Sequence, residues 1–136
     1  MRVVAGSLLG ARSPVPTLWD TLFAEATLSA GASMPFDAAT EERALYVVDG
    51  EVDIAGDRFA AGRLLIFRPG DAITVTAVSD ARVALVGGAA MDGPRHIWWN
   101  FVSSRKDRIE QAKADWKLGR FDSVPGDDKE FIPLPD

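Results

Sequence analysis

Cysteine is absent from this 136-residue chain, and histidine occurs once, as His96. Without thiols there is no disulfide framework, no thiolate metal site and no cysteine nucleophile, and a cytoplasmic setting fits better than a secreted one. A single imidazole cannot build a three-nitrogen metal site and leaves little basis for a Ser-His-Asp triad. The serines also lack a glycine-flanked nucleophile elbow. No run of about 18 apolar residues occurs, which excludes a membrane-spanning helix. The opening Met1–Gly6 is too short and too broken for the apolar core of a signal peptide. Positive charge is in deficit, with 15 Lys and Arg against 20 Asp and Glu and a net charge of -5. That balance excludes a domain built to neutralise phosphate backbones, so no nucleic-acid partner is expected. No glycine loop cradles a phosphate either: Gly87-Gly88 reads as a strand end.

What the chain does have is apolar substance, at 47% hydrophobic residues. A chain of this length makes one domain that buries roughly two thirds of its unfolded surface. Up to Gly93 the sequence is written as short apolar runs punctuated by glycine, proline and aspartate, the pattern of many short strands. Strands are expected at Arg2–Ala5, Thr21–Leu28, Arg43–Val48, Glu51–Ile54, Arg58–Ala60, Leu64–Phe67, Ala72–Ala77 and Ala81–Gly87. Asp49-Gly50 carries the signal of a two-residue hairpin, and Ala55-Gly56-Asp57, Ala61-Gly62 and Pro69-Gly70-Asp71 carry weaker turn signals. This spacing predicts a mainly β fold of the jelly-roll type, two sheets around one core. Ala44–Val48 is apolar at every position, so both of its faces should be covered, by a second sheet, the C-terminal tail or another subunit.

From Ser103 onward the pattern becomes helical. Ser103 or Ser104 is placed to cap the helix, with Asp107 as the acidic member of a capping box, and Gly119 to close it. Ile109, Ala112 and Trp116 form one apolar stripe, while Arg105, Lys106, Arg108, Glu110, Lys113 and Lys117 face water. The stretch Phe121–Asp136 holds three prolines, in an extended arm laid along the barrel by its apolar beads Phe121, Val124, Phe131, Ile132 and Leu134. The domain divides into a barrel over residues 1–102 and a helix with arm over 103–136.

The segment Arg95-His96-Ile97-Trp98-Trp99-Asn100-Phe101-Val102-Ser103-Ser104, with Arg108–Lys113 and Asp115-Trp116, closely resembles the C-terminal signature of bacterial pirin-like proteins. The tail Val124-Pro125-Gly126 with Phe131-Ile132-Pro133-Leu134-Pro135 resembles it too, and Glu41–Val52 resembles an opening strand of that family's second cupin domain. The resemblance implies a cupin-type jelly-roll barrel with one C-terminal helix and an arm. In pirins the iron site, three histidines and a glutamate, lies in the first barrel; the resemblance here is to the second. Flavonol (quercetin) dioxygenase action and co-regulation of transcription in animals are linked to the family and to that iron.

The spacing of a cupin metal motif survives in outline. Gly31 is followed by Asp37, Ala39, Arg43 and Gly50 at the intervals the motif prescribes, yet none of the ligand identities remains. Ala39 offers no lone pair, and Arg43 brings a positive charge to where a cation would sit. Pro69–Thr74, where a second motif would add a histidine, offers none. No metal and no cofactor are therefore expected. Arg43 is the candidate small-molecule contact, an anchor for an acidic metabolite, with an internal salt bridge to Asp37 as the plainer reading. The carboxylates Glu41, Glu42, Asp49, Glu51 and Asp53 read as a solvated face. Trp98, Trp99, Asn100, Phe101 and Trp116 form a structural signature; alternation along a strand would put Ile97, Trp99 and Phe101 on one face, packed on Ile109 and Trp116. The function expected is that of a metal-free module acting by association, as a homodimer or with a partner iron-bearing cupin half. A dioxygenase-related enzyme and an acid-binding barrel are the alternatives.

Overall fold

The computed structural model describes residues 1–36, 39–127 and 129–135. The chain forms two compact units, Met1–Ala90 and Met91–Asp136. The first contains β1 (Arg2–Ala5), β2 (Ser7–Leu8), β3 (Ala11–Arg12), β4 (Thr21–Leu28), β5 (Ser33–Phe36), β6 (Glu42–Asp49), β7 (Glu51–Ile54), β8 (Asp57–Ala60), β9 (Leu64–Phe67), β10 (Ile73–Ala77) and β11 (Ala81–Gly88). The second contains β12 (His96–Trp98), β13 (Phe101–Ser103) and α1 (Lys106–Lys117).

In the first unit a five-stranded sheet, ordered β1-β4-β11-β6-β9, faces a four-stranded sheet ordered β5-β10-β7-β8. The expected jelly-roll architecture is present, but the ring of strands is not closed: no hydrogen-bonded ladder among the described residues joins the two sheets. Among the described residues β1 and β9 are the edges of the first sheet and β5 and β8 those of the second. Inward positions alternate as a two-residue period demands. Leu22, Ala24 and Ala26 of β4, Leu45 and Val47 of β6, and Val83 and Leu85 of β11 meet Phe36, Val52 and Val75 from the other sheet in one buried cluster.

Two turns behave differently from their sequence signals. Asp49-Gly50 does not close a hairpin; it carries the chain from the five-stranded sheet to the four-stranded one. Gly50 has φ +77°, and a Cβ there would lie 2.1 Å from the Asp80 carbonyl oxygen. The two-residue hairpin is instead Ala55-Gly56, with φ +55° and +91°, between the paired residues Ile54 and Asp57. Both central residues are left-handed, as the tight hairpin turn requires.

In the second unit β12 and β13 form a hairpin with Trp98 opposite Phe101, so Trp99 and Asn100 are its two-residue turn. The expected continuous strand through Trp99 is therefore corrected, because the chain reverses there. The helix also starts later than its serines suggest. Its N-cap is Arg105, with no side-chain cap. Ser103 Oγ accepts from the Arg105 backbone N–H at 3.1 Å, and the Asp107 carboxylate pairs with the Arg105 side chain. The C-terminus follows expectation. Gly119, at φ +62°, donates to the Trp116 carbonyl at 3.1 Å, and Arg120 N–H reaches the Asp115 carbonyl at 2.9 Å, the paired closure of a Schellman motif. No helix among the described residues is long and apolar enough to cross a membrane.

Candidate functional site

Asp37 lies outside the described residues, so the proposed Asp37–Arg43 pair has no described geometry. Arg43 sits on the inward face of β6 and is 2% exposed. Its Nη1 donates to the Phe36 carbonyl at 2.9 Å, and its Nη2 donates to the carbonyls of Asp71 at 2.7 Å and Arg68 at 3.3 Å. The guanidinium carbon lies 5.7 Å from the centre of the Phe36 ring, which meets Phe67 edge-on at 6.1 Å. Arg43 Nε is the one buried side-chain nitrogen or oxygen without a hydrogen-bond partner among the described residues. The guanidinium thus ties the end of β5 to the turn before β10 through main-chain oxygens.

A buried cation whose two terminal nitrogens are held by main-chain carbonyls, at one ligand position, and a methyl side chain, Ala39, at another do not fit an iron or any other divalent ion. No cluster of three or more His, Cys, Asp or Glu side chains able to hold a metal occurs among the described residues. His96 opens β12 and is exposed, opposite Ser103.

The tryptophan signature is drawn together in the second unit. Trp98 stacks on Phe101 at 6.2 Å, and Phe101 stacks on Phe121 at 5.8 Å. Trp116 is the hub, with Trp99 edge-on at 5.1 Å, Phe101 at 6.2 Å, Phe121 at 5.6 Å and Phe131 stacked at 5.9 Å. The hairpin reversal lets Trp98, Trp99 and Phe101 share this cluster, while Ile97 and Val102 lie opposite each other and exposed. Asn100 completes the turn. Lys113, expected to face water, instead places its ammonium 4.5 Å from the Trp98 ring centre and bridges to Glu110 at 3.1 Å. The arm returns to the helix: Trp116 Nε1 donates to the Ile132 carbonyl at 2.8 Å.

The third feature was not read from the sequence. On the outward face of the five-stranded sheet, register aligns Phe23, Val86, Ala44 and Ile66 in one row across β4, β11, β6 and β9. The next row holds Glu25, Ala84, Tyr46 and Leu64. Ile66 is 79% exposed and Leu64 57%, and Phe23, Val86 and Tyr46 are exposed as well. The second face of Ala44–Val48 lies on this side of the sheet, with Tyr46 exposed and Ala44 and Val48 partly buried; the four-stranded sheet packs against the opposite face and is not its cover.

The model of the Pirin C-terminal cupin domain matches residues 23–122. A pirin-like protein of Caulobacter vibrioides is 42% identical over 135 residues, covering 99% of this chain and 46% of that protein. A putative quercetin 2,3-dioxygenase of Pseudomonas aeruginosa is 27% identical over 140 residues, covering 98% of this chain and 44% of that protein. Among solved structures, a quercetin 2,3-dioxygenase from Acinetobacter baumannii superposes with a TM-score of 0.80 at 22% identity, over 98% of this chain and 46% of that one. That likeness establishes the cupin fold. The chain spans about half the length of the curated relatives it matches.

Proposed function

This chain belongs to the pirin family and corresponds to its C-terminal cupin domain, and on that premise we propose that it is a metal-free cupin module that works by protein association. The partner is a second cupin unit, either another copy of this chain or a separate iron-bearing cupin half. The observation that carries the reading is the outward apolar row ending on the edge strand β9, where Ile66 and Leu64 stand exposed.

An edge strand with unpaired backbone groups and an apolar outer face invites coverage by another chain. The relatives, about twice as long, carry a further half beyond the region matched here. A dioxygenase reading rests on the names of relatives, and the ligand positions of this chain hold Ala39 and the buried Arg43. The absence of cysteine is compatible with work in the cytoplasm.

Size-exclusion chromatography with light scattering, at tens of micromolar, tests the reading. A dimer, or a complex with a His-rich cupin half, is expected for the wild type, and Ile66→Asp should abolish it by placing a charge in the row. A wild-type chain that stays monomeric and binds no cupin half overturns the proposal.

A further inference from the structure

We infer that the Trp116 face of the second unit is a docking site for an extended segment in which an aromatic and an aliphatic residue precede proline, and that the chain's own C-terminal arm occupies it as a displaceable plug.

The anchor is built in advance. The Trp116 ring is braced by Trp99, Phe101 and Phe121, with Trp99 only 5.1 Å away and nearly perpendicular. Its indole N–H is therefore aimed rather than free to rotate. What it meets is the carbonyl of Ile132, at 2.8 Å, while Phe131 stacks on the indole with planes 25° apart. Ile132 precedes Pro133, and a residue before proline is held in extended or polyproline conformation. Proline contributes no N–H and a fixed φ, so such a segment arrives with little conformational freedom to lose. An indole N–H on the carbonyl of an extended proline-bearing segment, flanked by aromatic rings, is a recognition mode rather than ordinary chain packing.

The plug is lightly held. Among the described residues, the indole hydrogen bond and the one stacked ring are the only polar and ring contacts of Phe131–Pro135, and no backbone N–H of that stretch is paired. Phe131 and Ile132 are each 63% exposed. One hydrogen bond and one ring pair stand against the entropy of ordering five residues, so release costs little. The cis arm has the advantage of high effective concentration, which a partner segment overcomes only by binding more tightly or when the arm is weakened.

The test uses the full chain and a fluorescent peptide of sequence Lys129–Pro135. Wild type should bind it weakly. Phe131→Ala, which weakens the plug and leaves the Trp116 face intact, should bind it roughly ten-fold more tightly, about what loss of a stacked pair together with its buried area provides. Binding should fall at least about five-fold when the phenylalanine of the peptide is replaced by alanine. Adding Trp116→Phe to Phe131→Ala should weaken binding similarly, by keeping a ring and removing the donor; the peptide variants do not depend on that protein folding. Equal affinity of wild type and Phe131→Ala, or indifference to the peptide's phenylalanine, overturns the inference. Concentration-dependent dimerisation of wild type that Phe131→Ala abolishes would assign the face to the arm of a second copy and overturn the partner-segment reading.

Discussion

Trp116 receives Trp99 edge-on, with ring centroids 5.1 Å apart and planes at 80°, although Trp99 sits at φ +51° in the left-handed region that a residue with a Cβ rarely adopts. The aromatic contact keeps the tryptophan where glycine or asparagine would be easier for the backbone.

Removing the hub should therefore loosen the second unit. Trp116→Ala is expected to cost about 2–3 kcal/mol, below the range for fully buried aromatics because the residue is half-buried. Lys113 is not a neutral comparison, given its contacts with Trp98 and Glu110. Arg108, exposed on the same helix, is the control, and Arg108→Ala should stay within about 0.5 kcal/mol. Urea melts followed by tryptophan fluorescence and by helical ellipticity make the comparison; equal midpoints would remove Trp116 from the core of its unit.

The crossing between sheets makes Gly50 and Gly56 unequal. Both have positive φ, yet a Cβ at Gly56 meets nothing within 4 Å, whereas at Gly50 it would strike the Asp80 carbonyl. Gly56→Ala should cost about 1–2 kcal/mol, the left-handed penalty alone. Gly50→Ala should cost about 3 kcal/mol or more, since backbone must shift as well. Thermal melts of the two variants decide, and similar losses would contradict the described turn.

Arg43 should matter to stability and not to metal content. Arg43→Met leaves the carbonyls of Phe36 and Asp71 without their charged donor and is expected to cost about 2–4 kcal/mol. Arg43→Lys, with one ammonium in place of a fork, should restore only part of it. Purified wild type should carry no stoichiometric iron, nickel, copper or zinc after chelator dialysis, and quercetin turnover with added ferrous iron should match buffer. A retained one-to-one metal would refute this account of the Arg43 site.

Acid should act on the second unit first. Asp115 is held below the usual carboxylate pKa of 3.8 by hydrogen bonds from the Gln111 amide and the Arg120 guanidinium. Asp107 is lowered chiefly by its hydrogen bond from Arg105, and Asp92 by its hydrogen bond from Arg95. A carboxylate lowered in the folded state stabilises above its unfolded pKa, and that contribution disappears as pH falls through the folded value. Helical ellipticity should thus decline below about pH 4, and less so at high salt because all three pairs are exposed. Helicity unchanged down to about pH 2 would show that these pairs contribute nothing.

Much of this protein could be read from residue order, because local chemistry settles local structure. Short apolar runs bounded by glycine, proline and aspartate placed β4, β6, β7, β9 and β11 within a residue of their observed bounds, and Gly119 marked the helix end because a left-handed cap needs glycine. The motif spacing from Gly31 to Gly50 identified Arg43 as the residue standing where a ligand would be. Which sheet each strand joins was decided only in three dimensions. Asp49-Gly50 and Ala55-Gly56 look alike as turn signals, but one crosses between sheets and the other closes a hairpin, a difference set by the long-range pairing of β7 with β10, which draws β7 into the four-stranded sheet with β8 rather than beside β6. The reversal at Trp99-Asn100 was hidden because a tryptophan is not expected at positive φ; the distant Trp116 ring of α1 packs edge-on against it there. The uncovered row from Phe23 to Ile66 is likewise a product of register, since four separate strands must align before single exposed side chains become a surface.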